Sequence, residues 1–176
     1  QTQSLAHGIA SVESLHGASS HQQNPFVALV ATDATLRHGE AYGANLIYSG
    51  NFQASAEVNE WRQTRLTTGI HPEQFEWQLD PESAFTSPEA VLLYSADGLN
   101  GLAQQAAQFA NQHIIAPHWQ HRPRPVVLNS WEAAYFNLDP KVLLKLADQG
   151  KQIGVDCFVL DDGWFGNRDT DNSSLG

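Results

Sequence analysis

A chain of 176 residues, 41% apolar and only 16% charged, can bury a sizeable core and lacks the composition of a disordered segment. Nine basic residues against nineteen acidic leave a net charge of −10, and no basic cluster extends beyond Arg122 and Arg124, which excludes a nucleic-acid footprint. No run approaches the twenty or so apolar residues of a membrane span, Gln1-Thr2-Gln3-Ser4 has no signal-peptide character, and the single Cys157 has no internal disulfide partner, so the expected setting is the reducing cytoplasm with no membrane partner.

Residues 1–96 read as β-structure. Pro25-Phe26-Val27-Ala28-Leu29-Val30 is a short apolar run, and residues 42–48 carry another, closed by the turn signal Ser49-Gly50-Asn51. Residues 52–58 alternate, with Phe52, Ala54, Ala56 and Val58 on one face, as a half-buried strand does. Strands are expected again over 65–70, 75–79 and 90–94. Short strands at close spacing between Gly, Pro and Asn suggest part of an antiparallel β-sandwich.

The pattern changes near Asp97. Residues 98–113 place Leu99, Leu102, Ala103, Ala106, Phe109 and Ala110 at helical spacing, with Asp97 as the expected N-cap. Pro117, Pro123 and Pro125 then make a linker, so residues 97–124 form a helix plus connection. From 125 to 176 the order is β-α-β. Pro125-Val126-Val127-Leu128 is an apolar strand, and residues 140–151 are an amphipathic helix with Asp139 as N-cap and Pro140 in its first turn. Cys157-Phe158-Val159-Leu160 is a second apolar strand. Continuous apolar runs indicate strands buried on both faces, as in a parallel sheet. A (β/α)8 barrel needs about eight such units in roughly 250 residues, so this stretch reads as the first β-α-β of an incomplete TIM barrel, strands one and two of something larger.

Asp161 and Asp162 follow the second apolar strand, and in α/β barrels the carboxyl ends of strands form the active face. Gly163 permits a sharp turn, and Trp164 and Phe165 come next. Ionised carboxylates accept strong hydrogen bonds from hydroxyls, and an aromatic face covers the apolar face of a pyranose, so the combination suits a sugar. An isolated Asp-Asp-Gly is ordinarily a turn, and a lone tryptophan after a strand is ordinarily packing. Trp131 after the first strand and two carboxylates after the second, at the same end, form a combination that packing alone does not call for. The other candidates carry less. His113, His118 and His121 lack the helical spacing of a zinc site, and Asp169, Asp171 and Asn172 lack the Gly and distal Glu of a calcium loop. They read as solvated residues, with Asp169 placed to pair with Arg168, and Cys157 reads as inert packing. No metal and no cofactor is assigned.

Leu160-Asp161-Asp162-Gly163-Trp164-Phe165-Gly166, with Arg168 and Ser174-Leu175-Gly176, resembles the signature around barrel strand two of glycoside hydrolase family 36, the bacterial α-galactosidases. Asn129-Ser130-Trp131-Glu132-Ala133 resembles the strand-one signature. Ser19-Ser20-His21-Gln22-Gln23-Asn24-Pro25-Phe26 is similar to a stretch of the family's amino-terminal β-sandwich domain. So are His38-Gly39-Glu40-Ala41-Tyr42-Gly43 with Tyr48-Ser49-Gly50-Asn51-Phe52, and Phe75-Glu76-Trp77 with Pro88-Glu89 and Tyr94-Ser95. These matches are collinear over nearly the whole chain. One departure is His16, where the family commonly has an arginine; it carries no functional reading.

The resemblance implies an internal piece of a retaining α-galactosidase acting on terminal α-galactosyl residues of the melibiose and raffinose type. Asp161 and Asp162 would bind the hydroxyls at C4 and C6 of galactose, and Trp131 would contact the ring. The family often forms homo-tetramers. Its chemistry uses an aspartate nucleophile and an aspartate acid/base, about 5–5.5 Å apart. The nucleophile's Lys-Trp-Asp motif does not occur, since no tryptophan follows a lysine, so no catalytic residue is expected in this chain. A non-catalytic carbohydrate-binding β-sandwich module is the rival class, and α-N-acetylgalactosaminidases and galactosyl-transferring synthases resemble the family too.

Overall fold

A computed structural model describes residues 2–19 and 22–174. Ser20, His21, Leu175 and Gly176, which belong to two of the stretches quoted above, lie outside the described residues. The chain divides into two compact units, Gln1–Ile114 and Ile115–Gly176.

The first unit holds six strands, β1 (Gly8–Ser14), β2 (Phe26–Val30), β3 (Ala41–Leu46), β4 (Phe52–Val58), β5 (Thr64–Ile70) and β6 (Ala90–Ser95). They form two three-stranded antiparallel sheets, ordered β1-β4-β5 and β2-β3-β6. The alternation read over 52–58 becomes β4, with Phe52, Ala54 and Ala56 in the core at 0%, 1% and 8% exposure. Ala41, Ala44 and Leu46 of β3 complete the core from the other sheet. β3 also lies against helix α1 (Gly98–Phe109), where Gly43 admits the side chains of Leu102 and Phe26. One π-helical turn, Ala110–Ile114, ends the unit.

One strand was not anticipated, and two local expectations change. β1 has no clear sequence signal because its pattern is inverted at both ends: Ile9 is 72% exposed while Ser14 is 2% exposed. Residues 75–79 form no strand. Their alternating apolar side chains serve an aromatic cluster instead, in which Phe85 meets Phe75 at 5.7 Å and Trp77 at 5.0 Å. Asp97 occupies the position before α1, yet its side chain makes no capping bond. The first N–H groups of the helix donate to loop carbonyls: Gly98 to Gly39, Leu99 to Thr35 and Asn100 to Leu36, at 2.9, 3.1 and 2.9 Å. Gly98 must be glycine for this. Its φ is +73°, and a Cβ there would meet the Thr35 carbonyl oxygen and the His38 nitrogen.

The second unit begins with a 3-10 turn, Pro117–Trp119, in which Trp119 receives the Arg124 guanidinium 4.7 Å from its ring centre. Then come β7 (Val127–Asn129), the one-turn helix α2 (Trp131–Ala134), helix α3 (Pro140–Gln152) and β8 (Cys157–Val159). β7 and β8 are parallel, with Val127 opposite Cys157, Leu128 opposite Phe158 and Asn129 opposite Val159. Asp139 caps α3 by accepting from the Lys141 N–H at 2.9 Å, and Pro140 starts the helix. The two-sided burial expected of these strands is not met within this chain: Val126, Val127 and Leu160 are 56%, 53% and 41% exposed. Successive strand side chains project from opposite faces of a sheet, and the faces that carry these three are left partly uncovered by the described residues.

Candidate functional site

The parallel register puts the ends of β7 and β8 side by side, so Trp131 and the Asp161-Asp162 pair emerge at the same end of the sheet. The Ser130 N–H donates to the Val159 carbonyl at 3.0 Å, which carries the ladder one step past the strands. Ser130 is fully buried, and its Oγ accepts from the Asp161 N–H at 3.1 Å. The backbone of Asp161 is therefore held from the β7 side before its carboxylate does anything.

Asn129 ties the two ends together. Its Oδ1 accepts from the Trp131 N–H at 2.7 Å, so Asn129 rather than Ser130 caps α2. Its Nδ2 donates to Asp161 Oδ2 at 2.5 Å. Asp161 Oδ1 accepts from the Asp162 N–H at 2.7 Å, which sets the two carboxylates in fixed relation.

Asp162 faces a different partner. Its Oδ1 accepts from the Gly163 N–H at 2.8 Å and from Arg168 Nε at 2.9 Å; its Oδ2 accepts from Arg168 Nη2 at 2.7 Å. Arg168 therefore pairs with Asp162 and not with Asp169. The sharp turn at Gly163 folds the loop back and brings the guanidinium fork onto a carboxylate six residues earlier. The hydrogen bonds from Arg168 hold the Asp162 carboxyl below the usual carboxylate range; partial burial opposes this, and the Gly163 N–H adds to it. Asp162 in return holds Arg168 firmly protonated. A carboxyl kept ionised in this way is a poor proton donor near neutral pH and a good hydroxyl acceptor.

The aromatic wall is built by α2 and the residues after it. Trp131, half-buried, meets Phe136 edge-on at 4.9 Å and Tyr135 at 5.3 Å. The Arg168 guanidinium carbon lies 5.6 Å from the Phe136 ring centre. Tyr135 holds a positive φ of 47°, a conformation rare for an aromatic residue. Trp164 is 64% exposed and packs edge-on with Phe165 at 5.3 Å. Among the described residues no group of three His, Cys, Asp and Glu side chains is arranged to hold a metal.

All three residues singled out in the sequence, Trp131, Asp161 and Asp162, thus stand at one end of the parallel pair. Asn129, Ser130 and Arg168, quoted only as parts of the family signatures, and Phe136, which was not quoted, join them with roles that the sequence did not assign. Asn129 and Ser130 carried a hint as polar residues directly after an apolar strand, and Arg168 as a member of the strand-two signature.

The second half of the chain, residues 84–176, matches the model of the Melibiase family, and residues 1–80 match that of the glycosyl hydrolase family 36 N-terminal domain. The chain is 44% identical over 172 residues to alpha-galactosidase AgaA of Geobacillus stearothermophilus, covering 98% of this chain and 24% of that protein. A crystal structure of the alpha-galactosidase from Lactobacillus brevis superposes with a TM-score of 0.91 at 47% identity, over 97% of this chain and 23% of that one. Variants of AgaA have been crystallised in complex with stachyose and with raffinose; both match with a TM-score of 0.91 over 24% of their length, at 44% and 43% identity and over 98% and 97% of this chain. The chain thus spans about a quarter of the length of the curated relatives it matches. No helix among the described residues is long and apolar enough to cross a membrane. On these matches and on this arrangement of strands, the chain belongs to the family 36 glycosyl hydrolases, as a counterpart of the amino-terminal domain and the start of the Melibiase region.

Proposed function

We propose that this chain supplies the galactose-recognising part of a retaining α-galactosidase whose complete form hydrolyses terminal α-galactosyl residues of raffinose-type oligosaccharides. In this reading residues 1–96 are part of an amino-terminal β-sandwich, residues 97–124 a helix and linker, and residues 125–176 the first two strands of a (β/α)8 barrel. Asp161 and Asp162 accept hydrogen bonds from the hydroxyls at C4 and C6 of galactose, and Trp131 lies against the ring. The complete protein is a cytoplasmic homo-oligomer.

The observation that carries this reading is the hydrogen-bonded unit formed by Trp131, Asn129 and Asp161 across the ends of two parallel strands. Ionised acceptors beside an aromatic ring suit a neutral polyol, and acceptors left unpaired by the wrong epimer would discriminate against it. The raffinose and stachyose complexes of AgaA variants support the substrate class. The adjacency of Asp161 and Asp162, and the depressed carboxyl of Asp162, argue against their forming the nucleophile and acid/base pair.

The test compares the complete protein with this chain alone on a nitrophenyl α-galactoside. The complete protein should turn it over with retention at the anomeric carbon, and this chain alone should not. A complete protein without α-galactosidase activity, or a chain that turns over substrate by itself, would overturn the reading.

A further inference from the structure

We propose that Arg168 is the positioning residue of this site: it fixes the Asp162 carboxylate in its sugar-accepting orientation and, through Phe136, couples it to Trp131. The proposal rests on the reading of Asp162 as a hydroxyl acceptor.

The Arg168 side chain is 5% exposed, and three groups share its donors. Nε lies 2.9 and 3.0 Å from the two oxygens of Asp162, and Nη2 lies 2.7 Å from Oδ2. Nη1 donates to the carbonyl of Thr170 at 2.5 Å and to that of Ser173. The cation therefore closes the loop after Gly163 onto the carboxylate it grips. Phe136 lies by the guanidinium, and its ring meets Trp131 edge-on. One side chain thus touches the acid, the loop and the aromatic that backs the tryptophan.

The chemistry is specific to arginine. A planar fork bonds both oxygens of a carboxylate and sets its plane, whereas an ammonium is a point charge that leaves the plane free. The fork also rations acceptor capacity. An ionised carboxylate offers about four lone-pair sites. At Asp162 the Gly163 N–H and the Arg168 fork bring three donor hydrogens, one of them shared between both oxygens, while among the described residues Asp161 accepts two, from Asn129 and from the Asp162 N–H. Asp162 then has room for a single hydroxyl in a fixed direction, and Asp161 for two. Arg168 makes the two adjacent carboxylates unequal in the acceptor capacity each has left.

The experiment is steady-state kinetics of the complete protein on a nitrophenyl α-galactoside, across pH, for the unchanged enzyme, Arg168→Lys and Arg168→Ala. Both variants should raise KM at least tenfold and move the acidic limb of kcat/KM to higher pH, since the carboxyl loses the fork that holds it low. Added guanidinium ion should lower the KM of Arg168→Ala but not that of Arg168→Lys. A purely structural role would lower the melting temperature and leave KM and the acidic limb in place. Folded variants with unchanged KM and limb overturn the proposal. If neither variant folds, Asp162→Asn decides: this near-isosteric change should also raise KM, and an unchanged KM overturns the proposal. An unchanged enzyme with no turnover would instead mark the failure of the galactosidase reading itself.

Discussion

Asn129 Nδ2 lies 2.5 Å from Oδ2 of Asp161, a residue 32 positions later in the chain. The same side chain accepts the Trp131 N–H through Oδ1. Its two ends therefore do separable jobs, and an isosteric change separates them. Asn129→Asp keeps an acceptor for the Trp131 N–H, loses the donor to Asp161 and sets two carboxylates against each other. A hydrogen bond to a charged group contributes roughly 1.5–3 kcal/mol, and the repulsion adds to that loss. The expected outcome in the complete protein is a KM for α-galactoside raised by roughly tenfold or more, with the melting temperature lowered less than by Asn129→Ala. Asn129→Ala should instead lower both affinity and stability, because the α2 cap goes as well. Kinetics paired with thermal unfolding checks both, and equal effects of the two variants would sink the division of labour.

Where the apolar pattern coincides with burial, the structure was legible from sequence. β4 is the clearest case, because Phe52, Ala54 and Ala56 alternate on a strand paired on both edges. β1 was not, because its outward Ile9 and inward Ser14 reverse the usual pattern; the inward serine is satisfied by donating to the Ala18 carbonyl at 2.7 Å. Phe75, Trp77 and Leu79 alternate as a strand would, but an aromatic cluster with Phe85 uses the same spacing without any sheet partner. The placement of Trp131, Asp161 and Asp162 at one end of the parallel pair was legible by their position after apolar strands. The partner of Arg168 was not, because local spacing favoured the neighbouring Asp169. Only the turn at Gly163 reveals that the loop doubles back to Asp162.

That turn carries its own prediction. Gly163 has φ of +95°, and a Cβ there would lie 3.1 Å from Phe136 Cδ1 and 3.3 Å from the Arg168 carbonyl oxygen. Gly163→Ala thus combines a disfavoured backbone, worth about 1–2 kcal/mol, with pressure on the ring that lies by Arg168. The expected result is a lower melting temperature together with a raised KM, as the crowding passes through Phe136 and Arg168 to Asp162. A variant that loses stability yet keeps its KM would show that the loop and the carboxylate are not coupled.

In the first unit, Glu13 of β1 accepts from Gln53 Nε2 of β4 at 2.8 Å and lies 3.3 Å from Nε2 of the buried His71. The Glu73 N–H donates to His71 Nδ1 at 3.0 Å, so Nε2 carries the ring proton and points it at Glu13. The Gln53 bond first, and then that of His71, holds the Glu13 carboxyl below its usual value. Such a group contributes stability that is fully present above its unfolded value, about 4.3, and is lost as pH falls through its lower folded value. Urea midpoints should therefore fall between pH 5 and pH 3, and less steeply in Glu13→Gln. Equal slopes for the two proteins would exclude Glu13 as a source of acid sensitivity.

The start of α1 offers a contrast between two neighbouring residues. From sequence, Asp97 is the N-cap, and replacing such a residue with alanine typically costs about 1 kcal/mol. In the structure its side chain caps nothing, because the carbonyls of Gly39, Thr35 and Leu36 take the first N–H groups of the helix. Asp97→Ala should therefore change stability by no more than about 0.5 kcal/mol, the usual range away from special features. Gly98→Ala should do far more. At φ of +73° its Cβ would press on the Thr35 carbonyl and the His38 nitrogen, which are backbone atoms that no rotamer change can move aside. The helix then either shifts away from the loop and loses three carbonyl caps, or stays and holds a strained residue. Either route costs on the order of 1–3 kcal/mol. Unfolding of the two single variants by urea distinguishes the two accounts. If Asp97→Ala proves the more damaging of the pair, the loop carbonyls do not cap α1 and the sequence-based cap is right.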